Sequence, residues 1–170
     1  MAAAYHQLGR VAQARGDLDT AQDWYRKSLA ISEELGNRPY MASTYHQLGM
    51  VAQERGDLDT AQDWYRKSLA ISEELGDWPG MALTYGQSGL LAEQRGQLAE
   101  ALAWMVRCIS LFDKIPHLST GSGPWHLARL TSQLGTAALE DAWQAVTGGG
   151  LPEAVRDYVA GRIQEKTEPS

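Results

Sequence analysis

His6 and His46 stand forty residues apart. Imidazoles recurring at a fixed interval are one way to bring two metal ligands, or two groups that titrate near neutral pH, to neighbouring positions. No cysteine supports them, and Gly86 occupies the next interval, so the expected role of both is a polar contact without metal. Cys108 is the single cysteine and cannot form an internal disulfide. It falls in the same register as Ser28 and Ser68, which predicts a buried small residue rather than a nucleophile. Gly121-Ser122-Gly123 lacks the strand-to-helix context of a nucleophile elbow, and the chain has neither a Gly-rich phosphate loop nor a His-Glu-x-x-His pair. Neither catalysis nor a cofactor is expected. Arg15-Gly16-Asp17 and Arg55-Gly56-Asp57 spell an adhesion tripeptide, but both fall where hairpin turns are expected.

The elements that carry these residues repeat. Met1, Met41 and Met81 open similar blocks, and residues 1–40 differ from 41–80 only at offsets 3, 4, 10, 14, 37, 38 and 40. The third block, 81–120, keeps Met81, Ala82, Thr84, Tyr85, Gln87, Gly89, Ala92, Arg95, Gly96, Leu98, Ala101 and Trp104. Within a block, Ala2, Tyr5, Leu8 and Ala12 follow a helical period. Arg15-Gly16-Asp17 interrupts it, and Leu18, Ala21, Tyr25 and Leu29 resume it. Each block therefore reads as two helices, with Gly16 closing the first and Asp17 capping the second. Gly36 ends the second helix, and Pro39 or Pro79 suits the first turn of the next. One hairpin cannot bury its apolar faces alone, whereas stacked hairpins can. Trp24, Trp64 and Trp104 recur on the second helices and are expected to pack between repeats.

Composition narrows the function classes. With 44% hydrophobic and 21% charged residues the 170-residue chain can form a core. A net charge of −6 without a basic cluster is not the footprint of a nucleic-acid binder. There is no apolar run of membrane-spanning length and no signal-peptide pattern, so no membrane partner is expected and the cytoplasm is the default location.

The pattern resembles the tetratricopeptide repeat. Leu8-Gly9, Gly16, Ala21, Tyr25 and Ser28 carry the likeness. It returns in Leu48-Gly49, Gly56, Ala61, Tyr65 and Ser68, and in Gly89, Gly96, Ala101 and Cys108. The 40-residue period looks like the long subclass found in kinesin light chains, spindle-orientation scaffolds and many bacterial regulators. Departures are Ser88 in place of Leu, Met105 in place of the aromatic, and Ala12, Ala52 and Ala92 where Tyr is common. The resemblance implies an all-α, right-handed α-solenoid of helical hairpins: three repeats at 1–40, 41–80 and 81–120, divergent capping helices at 121–165, and a disordered tail at 166–170. It also implies a concave groove lined by the first helices, which binds a protein or peptide. The groove positions are Ala3, His6, Arg10, Gln13 and Ala14; Ser43, His46, Met50, Gln53 and Glu54; and Leu83, Gly86, Leu90, Glu93 and Gln94. Three of the seven differences between the first two blocks fall on that set. The carboxylate-clamping Lys/Arg/Asn set of chaperone-binding relatives is missing. A ligand with apolar side chains beside basic ones is expected, paired by Glu54 and Glu93 and contacted by Met50 and Leu90.

Beyond Phe112 the code breaks at Ile115-Pro116-His117 and Ser119 to Pro124. Helices are expected over Pro124–Leu134, over Thr136–Val146 with Thr136 as cap, and, after Gly148-Gly149-Gly150, over Pro152–Gln164. The last helix carries a stripe of Val155, Tyr158, Val159 and Ile163 for its own core or for a partner. The N-terminal end has no matching cap, and Met1 shares the register of Met41 and Met81. Besides the peptide-binding scaffold, two readings therefore stay open. One is a self-associating module, a homo-oligomer joined through the N-terminal face; the other is the closing part of a longer array in a bacterial signalling or defence ATPase.

Overall fold

The computed structural model describes residues 1–165; the tail expected at 166–170 lies outside them. The described residues are all-α, with nine helices and a single 3-10 turn at Leu118–Thr120. The helices are α1 (Ala2–Ala14), α2 (Leu18–Glu34), α3 (Arg38–Glu54), α4 (Leu58–Leu75), α5 (Trp78–Gln94), α6 (Leu98–Ser110), α7 (Gly123–Leu134), α8 (Thr136–Thr147) and α9 (Glu153–Glu165). None of the described helices is long and apolar enough to cross a membrane. The chain divides into two compact units, Met1–Thr84 and Tyr85 onward, and the division falls within α5.

The hairpin turns follow from local chemistry. Gly16 adopts φ 77°, which an L side chain resists. There the Asp17 amide donates to the Ala12 carbonyl (3.0 Å) and the Gly16 amide to Gln13 (2.9 Å), so two orphan carbonyls of α1 are satisfied. The Asp17 carboxylate then accepts from the Thr20 amide at 3.1 Å and starts α2. Asp57 does the same for Thr60 at 3.2 Å. The linkers between blocks use the same device, with Asn37 capping Tyr40 and Asp77 capping Gly80.

In the first unit Ala12, Ala21, Tyr25, Leu29, Leu48 and Val51 form one buried cluster. Gly9 and Gly49 admit the rings of Tyr25 and Tyr65, since a Cβ on Gly9 would stand 2.6 Å from Tyr25 Cε1. The tryptophans pack differently from expectation. Trp24 stacks on Tyr5 of its own hairpin (5.3 Å between centroids), Trp64 on Tyr45 (5.5 Å), and Trp104 leans on Tyr85 (5.7 Å). Lys27, Lys67 and Arg107 cover the indoles. Each indole thus staples the two helices of one block under a cation, an arrangement that leaves its edge at the surface.

In the second unit α6 joins the C-terminal helices in one core. Leu102, Met105, Val106 and Ile109 of α6 meet Leu127 and Leu130 of α7, Leu139 and Trp143 of α8, and Val155 and Val159 of α9. The apolar stripe of α9 therefore packs at home, with Tyr158 and Ile163 at the margin of that core. Thr136 is not the cap of α8. Gly135, at φ 91°, holds that position without a side-chain bond, and Thr136 is the first helical residue. Cys108 is buried beside Gly123, and burial pushes its thiol up to about 12, so the neutral form persists at neutral pH.

Candidate functional site

The expected groove positions separate into side chains that reach solvent and side chains that hold the helices together. Ala3, Arg10, Ala14, Ser43, Glu54 and Leu83 of the first unit are exposed, whereas His6 and Gln53 are buried and Gln13, His46 and Met50 are half-buried. The buried members share one motif. The Tyr25 hydroxyl donates to Gln13 Oε1 at 2.9 Å, and the Tyr65 hydroxyl donates to Gln53 Oε1 at 2.7 Å. Each bond ties the second helix of a hairpin to the first and orients the amide from below. Gln13 Nε2 then donates to Glu54 Oε1 at 2.6 Å, linking consecutive blocks at the surface. Burial, with the Glu54 charge adding to it, raises the Tyr65 phenol, and burial pushes Tyr25 up to about 12. Both hydroxyls are therefore fixed as donors at neutral pH.

The histidines pair with hydroxyls of the following block. His6 Nε2 lies 3.4 Å from Ser43 Oγ, and its ring meets Tyr25 and Tyr40 edge-on at 5.3 and 5.6 Å. His46 Nδ1 lies 3.1 Å from Thr84 Oγ1. Because the Thr84 hydroxyl gives its proton to the Gly80 carbonyl at 3.0 Å, His46 Nδ1 is the donor in that pair. Burial drives His46 down to about 4, and burial followed by the Arg10 charge lowers His6. These are neutral rings in polar packing. The differences between near-identical blocks supply the partners of His6: Ser43 stands where the first block has Ala3, and Tyr40 stands where the next linker has Gly80, at which a Cβ would collide with Asp77.

In the second unit Gln94 is exposed, Gly86 has open space where a side chain would stand, and Leu90 packs against the core. Glu93 does not serve as a free ligand-pairing charge. It is half-buried in an ion pair with Arg129 of α7, with His126 Nδ1 at 3.8 Å. Leu90 is likewise engaged at home, so the acidic and apolar surface expected from Glu93 and Leu90 is reduced.

Sequence reasoning missed this α7 group. Trp125 is exposed, Arg129 lies over its ring at 5.5 Å, and both line a cleft of about 590 Å³ with Ala128, Ser132, Arg162, Ile163 and Glu165. The available signal was the helical spacing of Trp125 and Arg129, an i, i+4 pair that shares one face. The loss of the 40-residue register after Phe112 hid their relation to Glu93.

The helix pairs, their Gly-aromatic contacts and their turns define a repeat scaffold, and the comparisons identify which one. The tetratricopeptide repeat family model matches residues 1–74 and 40–114, so the chain belongs to the tetratricopeptide repeat family. A search of the curated proteins finds no match. Among solved structures, BtubC (BKLC) from P. vanneervenii is similar at TM-score 0.69 and 16% identity, covering 99% of this chain and 66% of that one. A putative kinesin light chain of Podosopora anserina with nearly identical TPR-like repeats is similar at TM-score 0.66 and 19% identity, covering 96% of this chain and 85% of that one. A point variant of that same protein gives TM-score 0.65 at the same identity and the same coverages. At these identities the structural likeness establishes the fold, that of tetratricopeptide helical-hairpin solenoids. Repeats of this family are in general protein-interaction scaffolds.

Proposed function

We propose that the protein is a non-catalytic scaffold that binds a peptide or a helix of another protein on the exposed face of its first helices. The carrying observation is where two near-identical blocks differ. Residues 15–36 and 55–76 are identical, and every difference falls on a first helix or in the linker between hairpins. Three of those differences, Ala3/Ser43, Arg10/Met50 and Ala14/Glu54, fall on positions this reading assigns to the groove, on the same helices that the Tyr–Gln bonds fix. Rigid backbone beneath a varied, solvent-facing set of side chains suits recognition, because a ligand then meets ordered groups without a large ordering cost.

The ligand chemistry follows from what remains exposed. Leu83 and the half-buried Met50 offer apolar contacts, Glu54 a carboxylate and Arg10 a guanidinium, while Glu93 is held by Arg129. A segment with apolar side chains and one basic residue fits the first unit. Peptides selected for binding from a random helical library give the test. Those retained by the wild-type chain should lose at least about tenfold affinity for a Glu54→Lys, Met50→Ser variant, equivalent to ~1.4 kcal/mol. Equal affinity for both chains would place recognition elsewhere.

A further inference from the structure

Residues 1–40 and 41–80 are nearly one sequence, so a ligand lying along their first helices meets almost the same surface twice. It settles in one register only if that register differs from its neighbour in free energy. Two of the differences between the blocks supply such a mark. At offset 10 successive blocks carry Arg10, Met50 and Leu90, and at offset 14 they carry Ala14, Glu54 and Gln94. One guanidinium on α1 and one carboxylate on α3 are therefore each presented once.

Both side chains are exposed, yet among the described residues neither forms an ion pair with the other or with any third group. No carboxylate stands three or four residues from Arg10 on α1, and no cation stands at that spacing from Glu54 on α3. Glu54 is nevertheless held in place. The buried Tyr25 hydroxyl donates to Gln13 Oε1 at 2.9 Å, and Gln13 Nε2 donates to Glu54 Oε1 at 2.6 Å, which engages one carboxylate oxygen only. The same hydroxyl feels both charges: burial raises the Tyr25 phenol, Arg10 draws it down and Glu54 pushes it up. Arg10 and Glu54 thus flank one buried anchor without neutralising each other.

Resting on the groove reading above, we propose that Arg10 and Glu54 together form a two-charge recognition site for a peptide segment that carries one acidic and one basic side chain. The acidic side chain is seated over α1 and the basic one over α3. The pair fixes both the direction and the register of the ligand. Reversing the segment sets like charges together, and shifting it by one repeat moves its acid from Arg10 to Met50.

The probes are labelled helical peptides of leucine and alanine that carry one glutamate and one lysine, one or two helical turns apart. One series has glutamate first and the other has lysine first, and both are titrated by fluorescence anisotropy. The wild-type chain should bind one order about tenfold tighter than the other. Arg10→Glu with Glu54→Lys should invert that preference. Arg10→Met with Glu54→Ala gives each position the residue that the other block carries there, and it should abolish the preference while leaving both orders weakly bound through Leu83 and Met50. An order preference unchanged in either double variant would overturn the proposal, and so would equal binding of both orders by the wild type. In the latter case, loss of binding on Met50→Ser shows that the groove reading stands on apolar contact alone. Binding indifferent to Met50→Ser and to both charge variants, or no binding of either series, removes the groove reading together with the proposal.

Discussion

Two glycines inside first helices have opposite surroundings. A methyl group on Gly49 would enter the ring of Tyr65, which is fully buried and tethered through its hydroxyl to Gln53, so the ring has nowhere to retreat. A methyl group on Gly86 meets no atom within 4 Å. Gly49→Ala should therefore destabilise the chain by ~1–3 kcal/mol through overpacking, and Gly86→Ala should stabilise it by up to about 1 kcal/mol through helix propensity; urea denaturation of the two variants checks the signs. The imidazole of His46 carries a second expectation. It stays neutral in the fold down to about pH 4 while an unfolded imidazole protonates near 6.5. Between those values the unfolded chain binds the extra proton, so stability is full above the unfolded pKa and falls on acidification, by at most ~1.4 kcal/mol per pH unit. Moving from about pH 7.5 to about pH 5.5 should cost the wild type more than His46→Gln, in matched denaturant titrations. The identity of these residues was legible in the sequence and their burial was not, because His6 and His46 find their hydroxyl partners a full repeat away.

Helix ends were written locally and could be read directly. Gly16, Asp17, Asn37 and Asp77 act within five residues of themselves, so their roles needed no knowledge of the fold. The ties between helices are another matter. Arg129 reaches Glu93 across thirty-six residues, from a helix whose register no longer follows the repeat. The expectation for Trp24 and Trp64 failed for a related reason: a forty-residue spacing shows that an aromatic recurs but not whether it packs on its own hairpin or the next. The Glu93–Arg129 tie predicts a specific energetic pattern. Arg129→Met leaves a half-buried carboxylate beside His126 without its guanidinium and should cost roughly 1–3 kcal/mol. Adding Glu93→Gln should recover part of that loss, giving a coupling above ~0.5 kcal/mol in a double-mutant cycle. Strict additivity would mean that the ion pair contributes nothing to holding α5 and α7 together.

For the molecule as a whole, the decisive fact is that it contains two cores of different origin. The first unit buries near-duplicates, Tyr25 and Tyr65, Leu29 and Leu69, with each tyrosine ring against its own glycine. The second core has no internal symmetry and draws on five helices, of which α5, through Ala92, and α6 belong to a repeat. Repetition made the first core predictable from one block, whereas the second depends on contacts that no periodicity announces. Stability in repeat chains is set by neighbouring elements rather than by one global core, so damage to the second core should remain local. Val159 is 2% exposed between α7 and α8 residues, and Val159→Asp buries a carboxylate there without a partner. Hydrogen exchange near neutral pH should then show accelerated exchange in α6 to α9, while α2 to α4 keep their wild-type protection. Uniform loss of protection from α1 to α9 would instead mean that the two units fold as one cooperative body.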